Sequence, residues 1–243
     1  MHKRETLKIS VIIPTLDEED LIAGTIASGY RAGVSEIIVA DGGSRDSTKA
    51  TAEALGAQVV EAARGRARQM NEGAGHATGE VLLFLHADTL LPPSCAPLVS
   101  KTLSMDGVVA GAFAYTACGA GLWDPILTVG GRARCRVSGH PYGDQGLFLL
   151  ARTFHSLGGF PDIPVMEDWE IVYRLRQAGR VVVLDTPAVT SAASFAEQGM
   201  LRASFWNLVA IVGYQLGVRP HRLASLRDRI ARRRSGRESR RRR

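Results

Sequence analysis

Short runs of apolar, β-branched residues alternate with stretches of helical spacing over the first ninety residues. Leu7 to Ile13 is the first run, and it ends at Pro14. Glu18 to Ser28 then carries Leu21, Ile22, Thr25 and Ile26 at the spacing of one helix face. Glu36 to Ala40 is a second run, stopped by Asp41-Gly42-Gly43. Ser47 to Leu55 predicts a helix, Gln58 to Glu61 a strand, Arg66 to Ala77 a helix and Glu80 to Leu85 a fourth strand. Such alternation predicts βαβ units and a parallel sheet buried on both faces. The second half is less regular. Val108 to Tyr115 reads as a strand, Gly121 to Arg136 as a helix, Gly146 to Ala151 as a strand and Phe154 to Phe160 as a glycine-rich turn. Glu167 to Ala178 predicts a helix and Val181 to Leu184 a strand, with two C-terminal helices to follow.

In open α/β sheets, ligands bind at the carboxyl ends of the strands. Three polar segments fall there: Pro14-Thr15-Leu16-Asp17-Glu18, Asp41-Gly42-Gly43-Ser44 and His86-Ala87-Asp88-Thr89. Glycines and a capping Ser44 or Asp46 account for the second as a turn and helix start. They do not account for Asp41, whose carboxylate is placed to accept from a nucleobase N–H or a ribose hydroxyl. Asp88 supplies one hard oxygen after a wholly apolar strand, enough for a divalent cation whose other positions are filled by phosphate and water. His86 is a borderline ligand, and a lone His is more often packed or hydrogen-bonded. Arg64, Arg66 and Arg68 open a helix in the manner of a phosphate site, or of a solvated basic turn. Glu167, Asp168 and Glu170 stand near a helix start, where the dipole favours acidic residues and where a general base is also possible. Helical geometry puts Glu167 and Glu170 on one face and pairs Glu170 with Arg174, leaving Asp168 turned by about 100°.

Composition changes this picture at one end. The chain has 243 residues, enough for one large α/β domain, and a net charge of +6. From Arg219 onward, twelve arginines face only Asp228 and Glu238, a balance of +10 that leaves −4 for residues 1–218. The basic character therefore belongs to a tail, expected to be helical and then disordered, and nucleic-acid binding is not expected of the domain. Ala203 to Val218 is apolar but shorter than the about 18–20 residues a span needs, so a buried or surface-docked helix is expected. Three cysteines without metal-ligand spacing fit a reducing cytoplasm, and the N-terminal apolar run is too brief for a signal peptide.

Taken together, Val11 to Glu19, Ile38 to Ser44, Leu83 to Thr89 and Met166-Glu167-Asp168 resemble, in order and spacing over residues 7 to about 185, family 2 of the inverting glycosyltransferases. Gly65-Arg66-Ala67 with Gln69-Met70-Asn71, and Tyr142-Gly143-Asp144-Gln145-Gly146, look like a compact bacterial subfamily of single-domain members. The resemblance implies an α/β GT-A fold: a mostly parallel sheet flanked by helices, with a nucleotide-binding N-terminal half and an acceptor-side C-terminal half. It implies one glycosyltransferase domain over residues 1–218 and the basic tail over 219–243. Pro14, Thr15, Glu18 and Asp41 would hold the nucleoside, with Gly42 and Ser44 in the same loop, and Arg66 would reach the diphosphate. Asp88 would bind Mn²⁺ or Mg²⁺ as the last residue of an Asp-X-Asp motif. Asp168 would be the base, with Glu167 beside it. Asp144, Gln145 and Trp169 would lie on the acceptor side. Two departures stand out. His86 replaces the first Asp of that motif, and Thr190 to Ser194 lacks an expected arginine, a contact left to Arg132, Arg134 or Arg202.

The implied reaction is inverting, metal-assisted sugar transfer from a nucleotide-sugar donor to a hydroxyl on a small-molecule or lipid-linked acceptor. One rival is a polyprenyl-phosphate glycosyltransferase docked peripherally at the inner face of the membrane through the C-terminal segment. A second is a non-catalytic binding module with a basic tail, against which Asp41, Asp88 and Asp168 argue. A sugar nucleotidyltransferase would need a glycine-rich loop after the first strand, where Pro14 to Glu18 stands instead.

Overall fold

In the computed structural model, the structure describes residues 7–192 and 209–226. The expected tail beyond residue 226 and residues 203–208 of the expected apolar helix lie outside them, as does Arg202. The first strands are β1 (Ile9–Thr15), β2 (Glu36–Asp41), β3 (Gln58–Glu61) and β4 (Val81–Phe84). Between them come helices α1 (Ile22–Arg31), α2 (Thr48–Ala54) and α3 (Arg66–His76). The chain continues through β5 (Thr89–Leu90), α4 (Cys95–Leu103), β6 (Val108–Cys118), α5 (Asp124–Ser138), β7 (Leu147–Leu150), α6 (Ala151–Ser156), α7 (Glu167–Ala178) and β8 (Arg180–Ser191). Among the described residues, one eight-stranded sheet results, in the order β3-β2-β1-β4-β7-β6-β8-β5.

The sheet is parallel through β3, β2, β1 and β4 and mixed beyond, because β7 runs antiparallel to both β4 and β6. Alternation along the pleat divides the core. Val11, Ile13, Leu83 and Leu85 face α1, α2 and α4. Ile12, Leu82 and Phe84 face α3, α6 and α7. That period of two explains why each strand reads as wholly apolar: both faces are covered. Gly73 allows α3 to lie close on the sheet, since a Cβ there would stand 2.6 Å from Ile12 Cγ2.

Four expected boundaries move. Helix α1 begins at Ile22 rather than Glu18, because residues 17–19 are bonded to the loop after β2. Within the expected turn 154–160, α6 runs to Ser156 before Gly158 and Gly159 make the turn. The expected helix 121–136 is a 3₁₀ turn at Gly121–Trp123 followed by α5. Strand β8 extends to Ser191, well beyond Leu184, because β6 pairs with it on both sides of an irregularity facing Asp185-Thr186. Helical segments 209–215 and 220–226 follow. No helix among the described residues is long and apolar enough to cross a membrane.

Candidate active site

Parallel pairing in register brings Thr15 beside Asp41 at the ends of β1 and β2. The loops beyond are then laced together. Asp17, held at φ 56°, donates its N–H to Ser44 Oγ at 2.9 Å and accepts the Arg45 N–H at 2.8 Å. Glu18 N–H donates to Thr48 Oγ1 at 2.8 Å. Asp41, 1% exposed, accepts from the Gly43 and Ser44 N–H groups at 2.9 and 2.8 Å and from the hydroxyls of Ser44 and Thr15. Burial works to raise this carboxyl, but the four donors outweigh it and hold it below its ordinary value. The Ser44 side chain is thus spent on Asp41, and Gly42 sits against the Gln69 side chain.

Gln69 enters the sequence reading only as part of a motif, with no role assigned to it. Its buried Nε2 donates to Thr15 O at 2.7 Å and to Ala40 O at 3.0 Å, so α3 clamps the two strand ends. Its place one turn beyond Arg66 on a helix facing the sheet was the available signal. Asn71 makes a similar clamp, exchanging hydrogen bonds with the Phe160 backbone at 2.8 and 2.9 Å.

The third segment and the second half of the chain meet across the crevice. Glu18 is pushed up by burial and by the charges of Asp88 and Asp46. Asp88 is likewise raised, by burial first. Asp168, in the first turn of α7, accepts the Gly143 N–H at Oδ2 at 3.0 Å, while its buried Oδ1 has no partner among the described residues. Gly143 is needed at that approach: a Cβ there would lie 2.5 Å from Asp168 Oδ2 and 2.6 Å from His86 Nε2. His86 turns this nitrogen inward, and burial with the nearby Arg66 charge pushes its pKa down to about 3, which keeps the ring neutral. The packed reading of His86 therefore describes its Nε2.

Glu167 and Asp168 diverge, as one helical step requires. Glu167 is 4% exposed and its Oε1 lies 3.3 Å from Arg66 Nη1, while burial and the adjacent Asp168 raise its pKa. Arg66 keeps half of its side chain exposed at the crevice. Glu170 bonds Arg174 at 3.0 Å and accepts from Tyr214 at 2.7 Å, away from the site.

Three acceptor-side expectations fare differently. Asp144 joins the acidic cluster, with its Oδ2 3.9 Å from Arg134 Nη2; Arg134 in turn lies 3.7 Å over the Tyr142 ring. Gln145 is 1% exposed, accepts from Tyr142 N–H and donates to Phe113 O, so its side chain ties the turn to β6. Trp169 is 7% exposed and stacks on His140 at 4.1 Å, which spends its ring on supporting the segment before Tyr142. Gln145 is buried and finds its partners within its own turn and on β6, as a buried amide must.

Burial, opposed by Arg134 and reinforced by Asp168 and Asp88, pushes Asp144 up to about 6. The folded state then binds this proton more tightly than the unfolded chain, so stability falls as pH rises from about 4 through 6. Asp144→Asn is expected to raise the melting temperature at pH 7.5 in EDTA, by about 1–3 kcal/mol of stability, and to change it little at pH 4. Equal shifts at both pH values would show that the buried charge is not what costs stability.

Residues 10–158 match the glycosyl transferase family 2 model. A glucosyl-3-phosphoglycerate synthase of Mycolicibacterium paratuberculosis is 35% identical over 117 residues, 41% of this chain and 35% of that enzyme. The chain thus matches about a third of that curated relative's length. The crystal structure of a glucosyl-3-phosphoglycerate synthase from Mycobacterium tuberculosis, with Mn²⁺, UDP and phosphoglyceric acid, superposes with a TM-score of 0.60 at 22% identity, covering 84% of this chain and 78% of the other. A mannosyltransferase from Pyrobaculum calidifontis, in complex with GDP-Man and Mn²⁺, gives 0.62 at 22% identity, covering 76% and 57%. The fold is therefore that of the GT-A enzymes, and the chain belongs to glycosyl transferase family 2.

Proposed function

We propose that this enzyme transfers a sugar, with inversion, from a nucleoside diphosphate donor to a hydroxyl on a small acceptor. The carrying observation is the meeting of Asp88, Asp144 and Asp168 beside Arg66 at the carboxyl edge of the parallel strands. The nucleoside would lie along Pro14, Thr15, Glu18 and Asp41, where two interlocked loops and the Gln69 clamp hold the strand ends rigid. The half-exposed Arg66 guanidinium is available to the diphosphate, with Glu167 as its anchor in the meantime.

No set of three or more His, Cys, Asp or Glu ligands occurs among the described residues. The donor set nevertheless fits a divalent cation that the phosphates themselves bring: Asp88 offers a hard oxygen in a crevice crowded with carboxylates. Mn²⁺ or Mg²⁺ held by Asp88 and the donor phosphates would supply positive charge to the departing diphosphate. Asp168 takes the proton of the acceptor hydroxyl, its carboxylate aimed by the Gly143 N–H. The acceptor oxygen then attacks the anomeric carbon opposite the diphosphate, and a single displacement inverts that centre.

Three free cysteines, Cys95, Cys118 and Cys135, support a reducing cytoplasm as the place of action. One catalytic domain to residue 218 followed by a basic tail remains our reading of the chain's organisation. The test is a screen of UDP- and GDP-sugars with Mn²⁺, with phosphoglyceric acid as the first acceptor because the synthase relative holds it. Nucleotide release with an inverted product anomer is expected. Failure of every nucleoside diphosphate to bind would reject the reading.

A further inference from the structure

Behind the turn at Gly143–Gln145, helix α5, the C-terminal end of α7 and the paired strands β6 and β8 surround a cavity of about 560 Å³. That is the size of a small-molecule site. Four arginines line it: Arg132 and Arg136 from α5, Arg176 from α7, and Arg180 at the start of β8. Among the described residues, Asp185 is the one acid in the lining.

Hydrogen bonds hold three of the four guanidiniums. Arg132 donates from Nε to Tyr115 O and from Nη2 to Thr116 Oγ1, both at 2.9 Å. Arg176 donates to Gly139 O at 2.5 Å, and Arg180 to Asp106 O at 3.4 Å. All of these acceptors are neutral. Among the described residues, ion pairs form at Lys49, Arg66, Arg68, His76, Arg134 and Arg174, and at none of these four. All four side chains are exposed along this space, and an oxyanion placed among them would meet four positive charges. Guanidinium forks match phosphate oxygens in pairs.

The cavity is separate from the reacting carboxylates. Arg176 lies eight residues beyond Asp168 on α7, about 12 Å along the axis. Neither Asp88, Asp168 nor Arg66 is part of the lining. Val181, Val182 and Ala114 add apolar surface beside the arginines, suited to the carbon skeleton of an ester rather than to a bare ion. The chain's own tail, at +10, is a poor occupant for so basic a space.

We propose that this cavity is a second ligand site, distinct from the donor site, that binds a phosphate ester through Arg132, Arg136, Arg176 and Arg180. Phosphate can come from a free phosphorylated molecule or from a phospholipid headgroup, and the experiment separates the two. The full chain is titrated calorimetrically with glycerol phosphate in EDTA, beside Arg136→Ala/Arg180→Ala and a control pair, Arg31→Ala/Arg152→Ala, that removes equal charge elsewhere. Saturable binding is expected for the wild type and the control, at least tenfold weaker in the cavity pair. In phosphate-free buffer the cavity pair should melt close to wild type, since both side chains are exposed. Should it not fold, Arg136→Gln/Arg180→Gln takes its place. A matched fall in both pairs, or no saturable binding by wild type, overturns the proposal. Flotation with phosphatidylglycerol vesicles identifies the source. Vesicle binding that drops in the cavity pair assigns the phosphate to a lipid headgroup; vesicle binding unchanged alongside the tenfold calorimetric loss assigns it to a free ester.

Discussion

Asp168→Asn is expected to lower kcat by about 10²–10⁴-fold, the usual contribution of a positioned general base, while nucleotide affinity stays within experimental error. The carboxylate is oriented from outside its own helix, by the Gly143 N–H at 3.0 Å, and its second oxygen has no partner among the described residues to release. Asparagine keeps the size of the side chain but cannot take a proton. The donor, in our reading, is held by other residues, so binding and turnover should separate. Glu167→Gln should be milder, because Glu167 is turned to Arg66 rather than to the acceptor. Gly143→Ala gives an independent check: its Cβ would press on Asp168 Oδ2 and His86 Nε2, so kcat should fall with the same separation from binding. Loss of nucleotide affinity in Asp168→Asn, or abolition of turnover by Glu167→Gln alone, would move the base elsewhere.

Asp88→Asn should remove turnover at ordinary Mn²⁺ concentrations and weaken Mn²⁺ binding in the presence of a nucleoside diphosphate. The loss should reach at least about 10–100-fold, which removing a mere outer-shell partner already costs. Asp88 is the residue that follows the apolar β4 strand into the crevice, where its charge helps to raise Glu18. Its Oδ1 accepts from the neighbouring Thr89 hydroxyl at 3.0 Å, a bond that an amide oxygen can keep, so the fold should not be disturbed. Mn²⁺ binding can be followed by electron paramagnetic resonance without any turnover. A variant with wild-type Mn²⁺ affinity would show that the cation is held by other groups.

The parallel half of the fold was legible because its information is local. Each of β1, β2 and β4 is a short apolar run covered on both faces, so its residues announce burial without reference to anything distant. The polar loops after those strands fall at one edge by the rule of parallel sheets alone, which is why Thr15, Asp41 and Asp88 could be named together. The antiparallel entry of β7 and the length of β8 were not legible. Asp185-Thr186-Pro187 has loop chemistry, and only the β6 backbone alongside makes it strand.

Within the site, residue types and helix period pointed to Asp168 over Glu170, whose i, i+4 partner Arg174 is in place. What the sequence could not express was who faces whom across long separations. Glu167 meets Arg66 across 101 positions, and Gly143 meets Asp168 across 25. Gln145 and Trp169 carry side chains that suit an acceptor as well as they suit a core, and only packing puts Gln145 against Phe113 O and Trp169 against His140. The arginine-lined cavity is the extreme case. Its four charges come from three elements and signify nothing until packing gathers them, since charge acts through distance in space and not along the chain.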